Sequence, residues 1–224
     1  LRSLVGSEMC IRDSRKDGPA YQKPPSRAPL RVCMVAYTFY ESDNRVKRYA
    51  EALARRGDEV DVIALRRKNQ SAFGEWKGVK VYRLQERVVN EKGKLTYLNR
   101  LLAFLLRSFW FLTKRHLARP YDCIHVHNVP DFEVFAALVP KLTGARIILD
   151  IHDILPEFYA SKFTGVGDGL TFRVLQAIEK LCCTFADHVI VSNHLWMERL
   201  VGRSVLSLIH ISEPTRLLSI SYAV

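Results

Sequence analysis

The stretch RIILDIHDILPEFY, Arg146–Tyr159, constrains the fold more than any other. Ile147, Ile148, Leu149 and Ile151 are too densely apolar for a strand with one wet face. The run reads as an inner strand of a parallel sheet, covered by helices on both sides. At its end the chemistry changes to His152 and Asp153, then Pro156 and Glu157. In an open α/β sheet, ligands sit beyond the carboxyl ends of the strands. This strand would therefore hand an imidazole and two carboxylates to a cleft. Taken alone, His152 and Asp153 are equally well explained as polar loop starters.

Five further runs are expected as strands: Val32–Tyr37, Val60–Leu65, Val79–Leu84, Cys123–His127 and Val189–Ser192. Val79–Leu84 alternates and belongs nearer a sheet edge. Helices are expected between the strands. The first starts at an N-cap on Ser42 or Asp43 and is closed by Arg55, Arg56 and Gly57. The second is Leu95–Leu117, with Leu98, Leu101, Leu102, Leu105, Phe109 and Leu112 on one broad face. Others open near Pro130, span Leu170–Phe185, and run from Asn193 to about Leu200. Strand, helix and strand within about 35 residues make a βαβ unit with a right-handed crossover. The fold class is α/β, a doubly wound parallel sheet.

The first strand–helix turn is informative through what it lacks. No GxGxxG lies between Val32 and Arg56, which argues against a dinucleotide site. The turn offers Ser42, Asp43, Asn44 and Arg45 at a helix N-terminus, where backbone N–H groups attract anions and Arg45 adds a forked donor. The plainer alternative is that Asp43 only caps the helix and Arg45 is solvated.

A net charge of +11 favours phosphates, anionic lipid or nucleic acid as partners. Nucleic acid is not expected, because the basic residues are spread along helices and no recognition motif appears. Leu95–Leu117 is apolar and aromatic, with Arg100, Arg107, Lys114, Arg115 and Arg119 around it. It reads either as a core helix or as one that meets an anionic membrane surface. No run reaches the roughly 18 apolar residues that would cross a bilayer. Cys33 and Cys123 fall in strands, and Cys182 and Cys183 are adjacent on a helix. None has metal-ligand or disulfide-framework spacing. Reduced thiols, no metal site and a cytoplasmic location, extending to the inner face of the cell membrane, are the expectation.

Ser3–Ser14 and Leu206–Arg216 show neither helical nor strand period. MCIRDS and LSLIHISEPTR are what one transposon end and its reverse complement encode, so both ends are expected to be translated sequencing-adapter sequence. The expected organisation is adapter over residues 1–14, a flexible basic, proline-rich lead-in over 15–30, one domain over 31–205, and adapter over 206–224.

Four stretches now stand in order: YTFYESDNRVKRYAEALARRGDEVDVIAL, YDCIHVHNVPD, ILDIHDILPEFY and ADHVIVSN. Together they resemble the N-terminal half of family-4 retaining glycosyltransferases, whose GT-B fold sets two Rossmann-like domains across a cleft. The resemblance covers about Arg31–Leu200. It implies that this chain is the acceptor-side Rossmann-like domain of a hexosyltransferase-type enzyme. Such an enzyme moves a sugar from a nucleotide-diphosphate sugar to a polysaccharide or lipid-linked acceptor with retention, as in cell wall or exopolysaccharide synthesis. The nucleotide sugar is a co-substrate, and neither metal nor other cofactor is implied. By the same resemblance, His152 faces the transferred sugar as the catalytic histidine, and Asp153 and Glu157 position it or shape the acceptor site. Asp43, Asn44 and Arg45 occupy the first-strand loop, where many relatives carry a glycine pair. That departure puts a phosphate role for the loop in doubt. His127 and Asn128 face the same cleft. The paired-glutamate domain that holds the nucleotide is missing from the chain, so the fragment alone is expected to be inactive. The alternative is a non-catalytic α/β ligand-binding module using the same cleft.

Overall fold

The computed structural model describes residues 28–87, 94–128, 130–153, 169–191, 197, 200, 202 and 208–210. One eight-stranded sheet organises them. Its strands are β1 Arg31–Ala36, β2 Glu59–Arg66, β3 Phe73–Trp76, β4 Val79–Glu86, β5 Cys123–His127, β6 Arg146–Ile151, β7 His188–Val191 and β8 Leu208–His210, in the order β3-β4-β2-β1-β5-β6-β7-β8. All pairs are parallel except β3 with β4. From β1 the chain winds toward β2 on one side and later toward β5 on the other. The sheet's topological switch point therefore lies between β1 and β5.

Alternating side chains divide the interior in two. Cys33, Val35, Ile124, Val126, Ile147 and Leu149 point to the face covered by helix α2 (Lys94–Ala118), a 3₁₀ helix (Asp131–Ala137), α3 (Leu138–Leu142) and α4 (Leu170–Phe185). Met34, Ala36, Val60, Val62 and Val81 point to the other face, beneath α1 (Asn44–Arg56). Helix α1 is set by its ends. Asp43 Oδ1 accepts from the amides of Arg45 and Val46, both at 3.1 Å, and Gly57 closes the helix at φ 99°. At the opposite rim, aspartates just before strands pin the starts of their neighbours. Asp58 accepts from the Leu30 amide at 3.0 Å, Asp122 from Arg31 at 2.7 Å and Asp187 from Ile147 at 2.7 Å.

Each strand expected from the sequence is present, and β6 is an inner strand between β5 and β7. Several features were not expected from the sequence. Phe73–Trp76 forms an antiparallel edge strand that its shortness and the glycine inside it concealed. It is joined to β4 by the two-residue turn Lys77–Gly78, with φ of 49° and 78°, the left-handed pair that a tight hairpin needs. The run after Pro130 begins as a 3₁₀ helix, not an α-helix. Helix α2 buries Leu101, Phe104, Ser108 and Leu112, whereas Leu98 and Leu102, expected on the core face, are 44% and 42% exposed. Apolar residues surround this helix, so periodicity alone could not fix its phase. Phe104 meets Tyr37 edge-on at 5.1 Å and fixes it. Asp61, within β2, is a buried hub that accepts from Tyr121 Oη at 2.6 Å and Arg115 at 3.1 Å. Finally, Leu208–His210 adds an edge strand where no element was expected. A parallel ladder uses backbone groups alone, so it needs no apolar period.

Candidate functional site

The carboxyl ends of β1, β5 and β6 open into a cleft of about 310 Å³ at the switch point. Its walls include Thr38 after β1, Asp43 and Arg45 at the start of α1, His127 and Asn128 at the end of β5, and His152 and Asp153 after β6. Of the residues chosen from the sequence, Asp43, Arg45, His127, Asn128, His152 and Asp153 are thus brought together. Asn44 is not. It is the first residue of α1, is exposed, and does not line the cleft. Glu157 lies outside the described residues.

The geometry separates residues free to meet a ligand from residues that build the cleft. Asn128 belongs to the second group. Its Oδ1 accepts from the backbone amides of His152 at 3.2 Å and Asp153 at 3.4 Å. Its Nδ2 donates to the Asp153 carbonyl at 2.7 Å and to Asp131 Oδ1 at 2.5 Å. One buried amide therefore clips the chain immediately after β6 and fixes where His152 leaves the sheet. Asp43 accepts two helix amides, so those donors are not offered to a phosphate.

Arg45 is engaged as well. Its guanidinium grips Asp150 with two bonds, Nε to Oδ2 at 3.0 Å and a short second bond from Nη2 to Oδ1. Asp150 is wholly buried within β6, and sequence reasoning passed over it. The signal was present: a carboxylate inside an otherwise apolar inner strand is rare unless it is paired. Around Asp150 Oδ2 stand His127 Nδ1 at 3.3 Å, His152 Nε2 at 3.7 Å and His125 Nε2 at 3.8 Å. The His125 and His127 rings lie 4.2 Å apart, and Tyr49 of α1 covers both. His125 was also missed, although alternation along β5 puts it on the same face as His127.

Charge follows this packing. Burial alone would raise Asp150, but the His127 imidazole, His152 and Arg45 outweigh it and hold the carboxyl at about 2. Burial pushes His125 well below the ordinary histidine range, and His127 beside it adds to the effect. Burial likewise lowers His152, with Arg45 and His127 opposing its protonation against the pull of Asp150. At neutral pH His152 is therefore a neutral imidazole, able to donate from one nitrogen and accept at the other. Deeper in, burial raises Asp131 to about 7 and Glu133 to about 9.

His125, His127 and Asp150 are the described residues whose donor atoms lie close enough together, within 4.8 Å, to hold a metal ion. A dication there would share its carboxylate with the Arg45 guanidinium, and the two positive centres would repel in a buried site. The donor set fits an arginine–carboxylate lock better than it fits a metal.

A family model described as a glycosyl transferase 4-like domain matches residues 42–208. No curated protein matches the chain. Among solved structures, sucrose-phosphate synthase from Thermosynechococcus elongatus superposes with a TM-score of 0.65 at 16% identity, over 84% of this chain and 49% of that one. A second structure of that enzyme gives 0.59 at 16% identity, over 86% and 94%. LpCGTa in complex with UDP gives 0.53 at 13% identity, over 87% and 56%. At these identities the likeness is one of fold, the Rossmann-like half of a GT-B architecture. The chain spans about half the length of the first of these and of the UDP complex.

Proposed function

Because the chain belongs to the glycosyl transferase 4-like domain family, we propose that it is the acceptor-side domain of a retaining glycosyltransferase, hexosyltransferase in type. The parent enzyme takes a sugar from a nucleotide-diphosphate sugar and delivers it to a polysaccharide or lipid-linked acceptor. The observation that carries this reading is the cleft at the switch point, with His152 held at its edge by Asn128. A neutral imidazole on a fixed backbone hydrogen-bonds sugar hydroxyls without bringing a charge of its own. It also lies where a donor can meet charge developing at the reacting centre. The cations of this cleft do not favour the nucleotide. Arg45 is locked to Asp150, and the first α1 amides are held by Asp43. Diphosphate binding therefore falls to a second Rossmann-like domain, and this chain alone binds acceptor without turnover.

The test is an amide chemical-shift titration of the chain with oligosaccharide and lipid-linked acceptors, then with UDP-sugars. Acceptors move Thr38, Asn128 and Asp153 and UDP-sugars do not. Full turnover by the isolated chain, or acceptor shifts confined to residues remote from the cleft, would overturn the reading.

No helix among the described residues is long and apolar enough to cross a membrane. Contact with an anionic membrane surface, where a lipid-linked acceptor would be met, rests on α2. Leu106, Trp110 and Leu117 are exposed on its outer side, Trp110 by 67%, with Arg107 and Lys114 nearby. Co-sedimentation with anionic but not zwitterionic vesicles, weakened by Trp110→Ser, is the expected result. Equal sedimentation with both vesicle types would remove it.

A further inference from the structure

A second cavity, of about 270 Å³, lies between the start of α1 and the β3–β4 hairpin. Its lining includes Tyr40, Glu41, Lys47, Gly74, Trp76 and Arg83. The wall is built around Glu41. Glu41 Oε1 accepts from Gln70 at 2.8 Å and from Arg83 through Nε at 3.2 Å and Nη2 at 2.5 Å. Arg83 Nη1 is held by the Ser71 carbonyl at 3.2 Å. Gly74 makes room for this arrangement, because a Cβ there would lie 3.1 Å from Arg83 Nη1.

Two polar atoms are left over. Glu41 Oε2 and the Tyr40 hydroxyl are both shielded from water, and neither has a hydrogen-bond partner among the described residues. Tyr40 is 2% exposed. Buried polar groups are nearly always paired, so two in one cavity wall mark a place prepared for something else. Beside them Trp76, the last strand residue before the hairpin turn, presents a ring that is 55% exposed, with the Lys77 ammonium 5.9 Å from its centroid.

From this juxtaposition we infer a binding subsite for one neutral pyranose ring, a unit of the acceptor glycan away from the reacting end. Both atoms are closed to water in the free chain, so a ring that takes them must turn the two side chains toward the cavity; sugar hydroxyls both donate and accept, so a single ring then satisfies the carboxylate oxygen and the phenol together. Its C–H face packs on Trp76. The carboxylate oxygen disfavours phosphate and carboxylate ligands, and Glu41 and Glu75 balance Lys47 and Arg83. A volume of about 270 Å³ lies below the usual range for larger ligands, which suits one ring and not a chain. The inference rests on the glycosyl-acceptor reading above, but it concerns a different cavity.

The experiment is a titration of the chain with maltose, cellobiose, lactose and, separately, inorganic phosphate, following the Trp76 indole N–H signal, identified by its loss in Trp76→Phe. At least one neutral disaccharide moves that signal with a Kd of about 1–10 mM. Tyr40→Phe and Gly74→Ala each weaken the effect by about fivefold or more, while Thr38 and Asp153 amides stay in place in the free variants. Gly74→Ala acts through Arg83 and leaves Tyr40 unaltered, so the assignment remains testable if one variant folds poorly. An unmoved Trp76 signal with every disaccharide overturns the inference, as does a stronger response to phosphate. The Thr38 and Asp153 signals report separately on the cleft, so loss of the subsite and loss of the transferase reading are distinguishable.

Discussion

Replacing Arg45 with Met keeps the aliphatic stem and removes the fork that holds Asp150. Asp150 is fully buried, and the Arg45 side chain is 13% exposed. The change therefore leaves a carboxylate in the interior with only imidazoles around it, the nearest nitrogen 3.3 Å away. Removing one partner of such a pair costs about 3–5 kcal/mol. For a domain of this size that lowers Tm by roughly 6–20 °C, at about 2–4 °C per kcal/mol. The double variant Arg45→Met/Asp150→Leu removes the stranded charge too. It is expected to be more stable than Arg45→Met alone, because apolar replacement of a whole buried pair is often close to neutral. Urea unfolding followed by far-UV circular dichroism, with m-values compared across variants, measures both terms. A loss under about 1 kcal/mol in Arg45→Met, or an Asp150→Leu penalty that adds to it in full, would refute the lock.

Three further outcomes follow from the buried polar groups. Asn128→Ala unclips His152 and leaves Asp131 unpaired, at a cost of about 1–3 kcal/mol for each buried group stranded, and loss of the Asp153 amide's protection from hydrogen exchange checks it. His125 and His152 are depressed in the folded state, so the unfolded chain takes up protons first as pH falls below about 6.5. Their stabilisation is complete above that pH and declines on acidification, by up to about 1.4 kcal/mol per pH unit for each, and His125→Gln should flatten the slope measured by urea midpoints between pH 6.5 and 4.5. Glu133, raised to about 9, behaves oppositely: its contribution is present below about pH 4.3 and is lost as pH rises toward 9. Glu133→Gln should accordingly raise the melting temperature at pH 8 more than at pH 5.

The frame of this molecule was legible because its signals are local and redundant. Dense apolar runs specified the inner strands, Asp43 and Gly57 the limits of α1, and the polar tails of β5 and β6 the cleft. What stayed hidden depended on facts that no single segment carries. Arg45 and Asp150 are 105 residues apart, so neither could be read as the other's partner. The phase of α2 was set by Phe104 against Tyr37, which follows β1 much earlier in the chain. Asn128 and His152 were both chosen as cleft residues, yet only the three-dimensional packing divides them, Asn128 clipping the chain after β6 while the His152 side chain lines the cleft. The hairpin strand Phe73–Trp76 was obscured by its shortness and its internal glycine, and with it the second cavity.

The proposed role of His152 in sugar transfer at the strand-end cleft is tested most directly by steady-state kinetics of His152→Ala. The measurement uses the proposed two-domain parent enzyme, at matched folded fraction. The expected result is a fall in kcat of about 100-fold or more, with the KM for nucleotide sugar little changed. An unaltered kcat in a fully folded variant would contradict it.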